Sequence, residues 1–226
     1  MKILQYLFIS LSHKILKLLP YKSIRILSVP IGTLYFLLTF RSSIKLFRRK
    51  EIFNELKINY KPLIVKINYT RYWLETLWLT NKNFSKYISP HVEIENLEYV
   101  EKLKKQYPGL IFALPHLGNW EFAIPIGNSI KLNLLAVAEP LNNSYVLNWF
   151  KSLRESLGIE IIIGGKGQNT FDLLVNKLKS GKDICLLSER SIKKSGVATD
   201  FFGQLAAFPK GPVALSLKTE VPICLL

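Results

Sequence analysis

Hydrophobic residues change their pattern near residue 90. Before that point they recur at helical spacing, with no strong turn signal until YISPH at 87–91, so residues 1–90 are predicted to be helical. Beyond it, short apolar runs alternate with longer amphipathic stretches. The runs are LIFAL (110–114), LLAVA (134–138), IEIII (159–163), DICLL (183–187) and VPICLL (221–226).

Candidate helices lie between these runs: NWEFAIPIGN, NNSYVLNWFKSLRESLG, NTFDLLVNKLKSGK and KGPVALSLKTE. Strands that alternate with helices of this length predict an α/β fold, a three-layer α/β/α sandwich with a largely parallel central sheet. The last apolar run ends at Leu226 with no covering helix after it, and we therefore expect the chain to be incomplete.

The composition is that of a folded protein. With 49% hydrophobic and 12% aromatic residues, the 226-residue chain can bury a sizeable core. Cys185 and Cys224 both lie in apolar, strand-like runs. This placement favours buried thiols of a reducing compartment over a disulfide framework.

Positive charge is concentrated at the amino terminus. The net charge is +15, and residues 1–50 hold ten Lys and Arg residues without a single Asp or Glu. A basic segment of this kind fits either a nucleic acid or an anionic membrane. Here the bases alternate with apolar stretches and no nucleic-acid motif is present, so we expect an anionic membrane surface and no nucleic acid as partner.

The longest uncharged stretch of this segment is short for a membrane span. It covers the 15 residues between Arg25 and Arg41 and contains Pro30, whereas a spanning helix needs about 20 apolar residues. Amphipathic or shallowly inserted helices are therefore the favoured interpretation. A buried core helix with a solvated basic edge is the open alternative.

The chemistry-bearing stretch is HLGNWE, which directly follows the run LIFAL and Pro115. In parallel α/β folds, functional groups lie beyond the carboxyl ends of the strands, where His116 is placed. Gly118 allows a turn, and Asn119 can cap a helix with Glu121 in its first turn. The Glu121 carboxylate is then expected to accept a hydrogen bond from the N–H of one imidazole nitrogen and leave the other nitrogen as a general base. A purely structural histidine accounts for the spacing equally well.

The reaction expected of such a pair is direct. No GxSxG elbow is present, so a substrate hydroxyl deprotonated by His116 would itself attack an activated carbonyl. No metal site is expected, because His13 and His91 lack a ligand-like spacing with His116.

HLGNWE resembles the H-x4-D/E signature of the lysophospholipid acyltransferase superfamily, and in particular its lipid A acyltransferase-like branch. Later blocks match the branch in the same order, from about residue 68 to the end, and look closest to the phosphatidylinositol mannoside acyltransferases of actinobacteria. These blocks are VAEPL (137–141), RESLG (154–158), LLSER (186–190), SGVATDFFG (195–203) and FPKGPVALSLKTEVPI (208–223).

The resemblance assigns roles to five residues. His116 and Glu121 would be the catalytic pair, and Glu139, Arg154 and Glu189 would line a polar pocket for the acceptor's head group. The chemistry fits, because carboxylates accept hydrogen bonds from sugar hydroxyls and a guanidinium can fork onto phosphate or a carbonyl oxygen. Without the resemblance, each pocket residue could equally be a solvated charge.

The resemblance also implies an organisation and an activity. Residues 68–226 would be a catalytic domain with a glycerol-3-phosphate acyltransferase-like fold, and the implied enzyme uses no metal or redox cofactor. The basic, apolar first 50 residues predict in addition that residues 1–67 are a helical membrane-association region, which would hold the protein at the cytoplasmic face of the plasma (inner) membrane. The implied enzyme would move a long acyl chain from acyl-CoA to a mannose of a phosphatidylinositol mannoside.

Two other functions stay open at this point. The first is lauroyl or myristoyl transfer from acyl-acyl carrier protein to the lipid A precursor Kdo2-lipid IVA. The second, from another class, is a catalytically inactive glycolipid-binding protein, which the presence of both His116 and Glu121 disfavours.

Overall fold

The computed structural model describes residues 1–40, 61–164, 169–189, 191 and 196–225. The chain folds into two compact units, one of residues Phe8–Asn83 and one of Met1–Leu7 together with Phe84–Leu226. The boundary expected between residues 67 and 68 lies inside a helix, Pro62–Trp78. The division into a membrane-association region and a catalytic domain stays a prediction.

The described part of residues 1–90 is helical, as its periodicity predicts. Gly32 explains how closely the helices Tyr21–Leu38 and Pro62–Trp78 approach each other: a Cβ at this position would lie 2.6 Å from the Ile67 Cα. A short 3₁₀ helix, Ser89–His91, closes the segment. The bounds are α1 Lys2–Leu16, α2 Tyr21–Leu38, α3 Pro62–Trp78 and α4 Asn81–Tyr87.

Two side chains satisfy backbone carbonyls in the connection between α1 and α2. The Nε1–H of Trp78, the last residue of α3, donates to the Leu19 carbonyl at 2.9 Å, and the side-chain amide of Asn83, on α4, donates to the Lys17 carbonyl at 2.8 Å. These bonds fix the turn into α2.

Helix α1 exposes an apolar stripe at helical spacing, and none of its residues is buried. No helix in the described ranges has the length and apolar character needed to cross a bilayer. The stripe consists of Leu4, Leu7, Phe8, Leu11 and Ile15.

A five-stranded sheet forms the centre of the second unit. Its strands are β1 Ile111–Leu114, β2 Leu134–Ala138, β3 Glu160–Ile163, β4 Asp183–Leu187 and β7 Ile223–Leu225. They lie in the order β3-β2-β4-β1-β7, and every neighbouring pair is parallel. Each of the predicted apolar runs contains one strand, so the prediction of a mostly parallel α/β sheet is confirmed.

Both predicted cysteine positions lie in this sheet, and both thiols are free. Burial raises the pKa of Cys185, on β4, to about 12, so this thiol stays protonated at physiological pH.

Helices cover both faces of the sheet. Leu135 packs with Leu174 and Leu215 in the main core, whereas its neighbour Leu134 faces Gly127 on α6. Successive strand residues point to opposite faces, so these contacts define three layers. The helices are α5 Leu97–Gln106, α6 Ala123–Ser129, α7 Ser144–Leu157, α8 Thr170–Lys179 and α9 Gly211–Thr219. The sequence pattern did not predict α5.

A buried carboxylate ties the amino ends of the strands together. Asp183 is fully buried and accepts hydrogen bonds from the backbone amides of Leu110 at 2.9 Å and Asn133 at 2.7 Å. Lys104 donates to the same carboxylate at 2.9 Å and neutralises its charge. A buried ion needs such partners, and we therefore assign Asp183 a structural role at the amino ends of the strands.

A two-stranded antiparallel hairpin, β5 Val197–Phe201 and β6 Gln204–Phe208, follows the sheet strand β4 and was not predicted. Its turn consists of Phe202 and Gly203, both with positive φ (55° and 74°). Strands β5 and β6 remain largely exposed, which explains why no continuous apolar run marked them.

Candidate active site

Strand register brings His116 and Glu189 together. Strands β1 and β4 are parallel neighbours, and their last residues, Leu114 and Leu187, are paired. The Ser188 amide continues the ladder with a 2.9 Å bond to the Leu114 carbonyl. His116 and Glu189 each lie two residues beyond a paired strand end, at the carboxyl edge where parallel α/β folds place functional groups.

His116 and Glu189 form a hydrogen-bonded pair through the Nδ1 atom of the imidazole and the Oε1 atom of the carboxylate. Burial works to raise the pKa of Glu189, but hydrogen bonds from its own backbone amide and from His116 outweigh it and hold the pKa below its usual value. Glu189 is therefore a carboxylate near neutral pH, and it favours the tautomer in which Nδ1 carries the proton.

Glu121 binds a different partner. The turn that carries it forms as expected: Gly118 has a φ of 58°, and Asn119 caps a 3₁₀ helix, Trp120–Phe122, by accepting from the Glu121 amide. The Glu121 carboxylate is only 2% exposed. It accepts two hydrogen bonds from Arg154 on α7, at 3.0 Å from Nε and 2.6 Å from Nη2.

The structure differs here from the expected hydrogen bond between His116 and Glu121. Among the hydrogen bonds of residues 61–164 and 169–189, none joins these two side chains. The physical reason is burial: a buried carboxylate needs a cation, and the guanidinium fork of Arg154 binds both of its oxygens. A catalytic role for Glu121 stays a prediction, now without contact to the imidazole.

The remaining predicted pocket residue, Glu139, follows β2 directly and is exposed. No hydrogen bond in the described part of the chain connects it to His116, Glu121, Arg154 or Glu189. The five candidates therefore form two ion pairs and one separate, solvated carboxylate at the same edge of the sheet.

Sequence reasoning missed Trp120. Its indole and the His116 imidazole form a T-shaped contact, with ring centroids 4.5 Å apart and an interplanar angle of 84°. The sequence contains one signal for this residue: an aromatic side chain four positions after the histidine, on the first turn of the following helix.

A cavity of about 420 Å³ lies along the sheet face below this site. It reaches from the carboxyl ends of the strands, at Leu114 and Ala138, to their amino ends, at Leu134 and Ile159. The Glu121–Arg154 pair lies in its wall. Most of the other lining residues are apolar, among them Phe112, Trp120, Ile124, Ile126, Leu132, Val137, Ile161 and Leu187.

No group of three or more His, Cys, Asp or Glu side chains in the described ranges has the geometry to hold a metal ion.

The whole chain, residues 1–226, matches the family described as bacterial lipid A biosynthesis acyltransferase. A phosphatidylinositol mannoside acyltransferase of Mycolicibacterium smegmatis is 31% identical over 156 residues, which cover 67% of this chain and 50% of the relative. The protein of the same name from Mycobacterium tuberculosis strain H37Rv is 32% identical over 155 residues, 67% of this chain and 49% of the relative. The chain thus spans about half the length of these curated relatives.

Proposed function

The chain belongs to the bacterial lipid A biosynthesis acyltransferase family, and from this premise we propose that it transfers a fatty acyl group from a thioester to a hydroxyl of a membrane glycolipid. The observation that carries the proposal is the His116–Glu189 pair at the edge of the sheet, next to an apolar cavity. A base beside an acyl-sized cavity is the minimum that transfer from a thioester requires.

The proposed reaction uses the imidazole as the base. Glu189 accepts a hydrogen bond from the Nδ1–H of His116, which leaves the unprotonated Nε2 to take the proton of the acceptor hydroxyl. The hydroxyl oxygen attacks the thioester carbonyl carbon, a C–O bond forms and the C–S bond breaks. The departing thiolate receives the proton back from the imidazolium, so protons and electrons balance. The ionised Glu189 stabilises the imidazolium while it lasts.

The cavity suits the acyl chain. Four residue steps along β2, from Leu134 to Ala138, span about 13 Å at the usual rise of a parallel strand. An extended hydrocarbon advances roughly 1.3 Å per carbon at a C–C bond length near 1.5 Å, so about ten carbons fit along this wall. The lining is apolar, and each methylene buried there contributes about 0.8 kcal/mol.

For the acceptor we propose a mannose of a phosphatidylinositol mannoside, with acyl-CoA as donor. The similarity to the two mycobacterial enzymes of that name supports this choice. Glu139, exposed beside the site, is available to accept hydrogen bonds from sugar hydroxyls. Arg154 is bound to Glu121, and we propose that it shapes the wall of the cavity instead of binding the head group directly. Transfer from acyl-acyl carrier protein to Kdo2-lipid IVA is the second candidate, which the family's name favours.

One product assay tests the activity and both acceptors. Purified protein is offered palmitoyl-CoA or palmitoyl-acyl carrier protein with either glycolipid, and the products are identified by mass spectrometry. We expect acylated mannoside from the CoA donor, and we expect the initial rate of its formation to fall by about 10² to 10⁴-fold in His116→Ala. The matched control is His91→Ala, which changes an exposed histidine outside the site. Acylation by a folded His116→Ala protein at the wild-type rate would refute the mechanism.

We further propose that α1 lies on the cytoplasmic face of the plasma (inner) membrane. Its exposed apolar stripe and the acid-free, basic first 50 residues support this location. The double variant Leu4→Asp/Leu11→Asp should bind phosphatidylglycerol–phosphatidylcholine vesicles at least tenfold more weakly than the wild type, as measured by the fraction of protein that sediments with the vesicles. Leu217→Asp, which changes a still more exposed leucine on α9, should leave vesicle binding unchanged. Equal effects of both changes would remove α1 as the anchor.

A further inference from the structure

Trp120 contacts the proposed base and the apolar cavity at the same time. Its ring meets the His116 imidazole edge to face, at 4.5 Å between centroids, and it also lines the cavity. The residue is held on the short 3₁₀ helix that begins after the Asn119 cap. One side chain thus connects the space proposed for the acyl chain to the group that takes the proton.

The imidazole needs this second contact. The hydrogen bond from Nδ1 to Glu189 restrains one edge of the ring, but its broad angular range still allows the ring to tilt about the Cα–Cβ and Cβ–Cγ bonds. A neighbouring aromatic ring at 84° restricts this rotation. The His116 side chain is otherwise 29% exposed, so solvent does not hold it in one orientation.

The indole in turn depends on what fills the cavity. An acyl chain seated between Trp120 and the sheet residues Leu114 and Leu187 would pack against the indole. Each pair of carbon atoms in contact adds about 0.1–0.2 kcal/mol of dispersion attraction, so a seated chain would favour the ring position that it contacts.

We propose that Trp120 is a positioning residue that couples occupancy of the cavity to the orientation of His116. The seated acyl chain packs against the indole, and the indole holds the imidazole with Nε2 directed at the acceptor hydroxyl. The inference rests on the proposed acyl transfer. It predicts that the acyl chain, although remote from the reacting atoms, raises kcat as well as lowering KM.

The first test is a series of donors, acetyl-, octanoyl- and palmitoyl-CoA, with a saturating acceptor. For the wild type we expect kcat to rise about 10- to 100-fold from acetyl to octanoyl, since a slightly misplaced base loses rate on this scale. Trp120→Leu keeps an apolar side chain in the cavity wall but removes the aromatic ring, and it should make kcat independent of acyl-chain length. Trp120→Phe keeps a ring and should retain much of the increase in kcat from acetyl to octanoyl. Trp149→Phe, on α7 and outside the cavity lining, is the matched control and should behave as the wild type.

The second test needs no turnover. The chain has three histidines, so the His116 imidazole resonance is identified by its loss in His116→Ala. Dodecanoate should shift this resonance in the wild type and in Trp120→Phe, but not in Trp120→Leu. A purely structural role of Trp120 predicts no such response to dodecanoate.

The outcomes separate the two proposals. A folded wild type that acylates no glycolipid from any thioester refutes the proposed function. An active wild type whose kcat ignores chain length, or whose His116 resonance ignores dodecanoate, refutes the coupling and leaves acyl transfer standing. If Trp120→Leu keeps the chain-length dependence of the wild type, the coupling is refuted as well.

Discussion

Two carboxylates of the site, Glu121 and Glu189, should separate stability from activity when each is changed to glutamine. Glu121 is buried and binds Arg154 through two hydrogen bonds of 2.6 and 3.0 Å. Glu189 is 31% exposed at its side chain and binds the Nδ1 atom of His116. The substitution has nearly the same shape in both places, so the differences come from charge and burial alone.

Glu121→Gln removes the negative charge that binds the guanidinium of Arg154. Breaking a fully buried ion pair costs about 3–5 kcal/mol, but the Arg154 side chain is 25% exposed. We therefore expect a loss of about 2–3 kcal/mol in the free energy of unfolding, which lowers Tm by about 4–12 °C in a chain of this size. Activity below the melting range should fall much less than in the Glu189 variant.

Glu189→Gln should show the opposite behaviour. A partly exposed ion pair such as this one contributes about 1 kcal/mol or less to stability, so Tm should change little. The amide still hydrogen-bonds the imidazole but does not stabilise its positive charge, and kcat should fall by about 10² to 10⁴-fold, the range of general-base contributions.

The assay is paired: a thermal melt and an initial rate on the same preparation of each variant. Glu155→Gln is the control, since this exposed carboxylate on α7 makes only a surface pair with Lys151. If Glu121→Gln abolishes turnover in a stable protein and Glu189→Gln is fully active, the assignment of the imidazole partner is wrong.

Further substitutions test the fold and its pH dependence. Asp183→Asn removes the acceptor for one of two backbone amides, those of Leu110 and Asn133, and the charged partner of Lys104. It should lower the free energy of unfolding, measured in urea, by about 3 kcal/mol. Phe202→Asn relieves a left-handed backbone that a bulky residue adopts at a cost, and should raise stability by about 1 kcal/mol in the same assay. Hydrogen bonds from Lys177 and Lys182 hold the pKa of Glu160 below its unfolded value. The stability that this ion-pair cluster contributes is therefore fully present above the unfolded-state pKa of Glu160, and it is lost as pH falls through the folded-state pKa. In Glu160→Gln, the urea concentration at the unfolding midpoint should therefore fall less on acidification than in the wild type.

The local elements follow from the sequence alone. LLAVA and DICLL are strands β2 and β4 residue for residue, because a short continuous apolar run between polar turns fits a strand covered on both faces. HLGNWE likewise predicts the turn at Gly118 and the cap at Asn119, since each depends on chain neighbours. The β5–β6 hairpin escaped prediction, because its exposed strands carry no apolar period.

Which side chains meet was decided by the tertiary structure. The spacing in HLGNWE favoured Glu121 as the partner of His116, but the partner lies 73 residues away, and the two meet only because β1 and β4 are neighbours in register. Glu121 binds Arg154, 33 residues further on, because its burial requires a cation that α7 brings to it. Strand order and helix docking come from the packing of the whole sheet. A periodic pattern records only which face of an element is apolar, and it carries no information on which other element will cover that face.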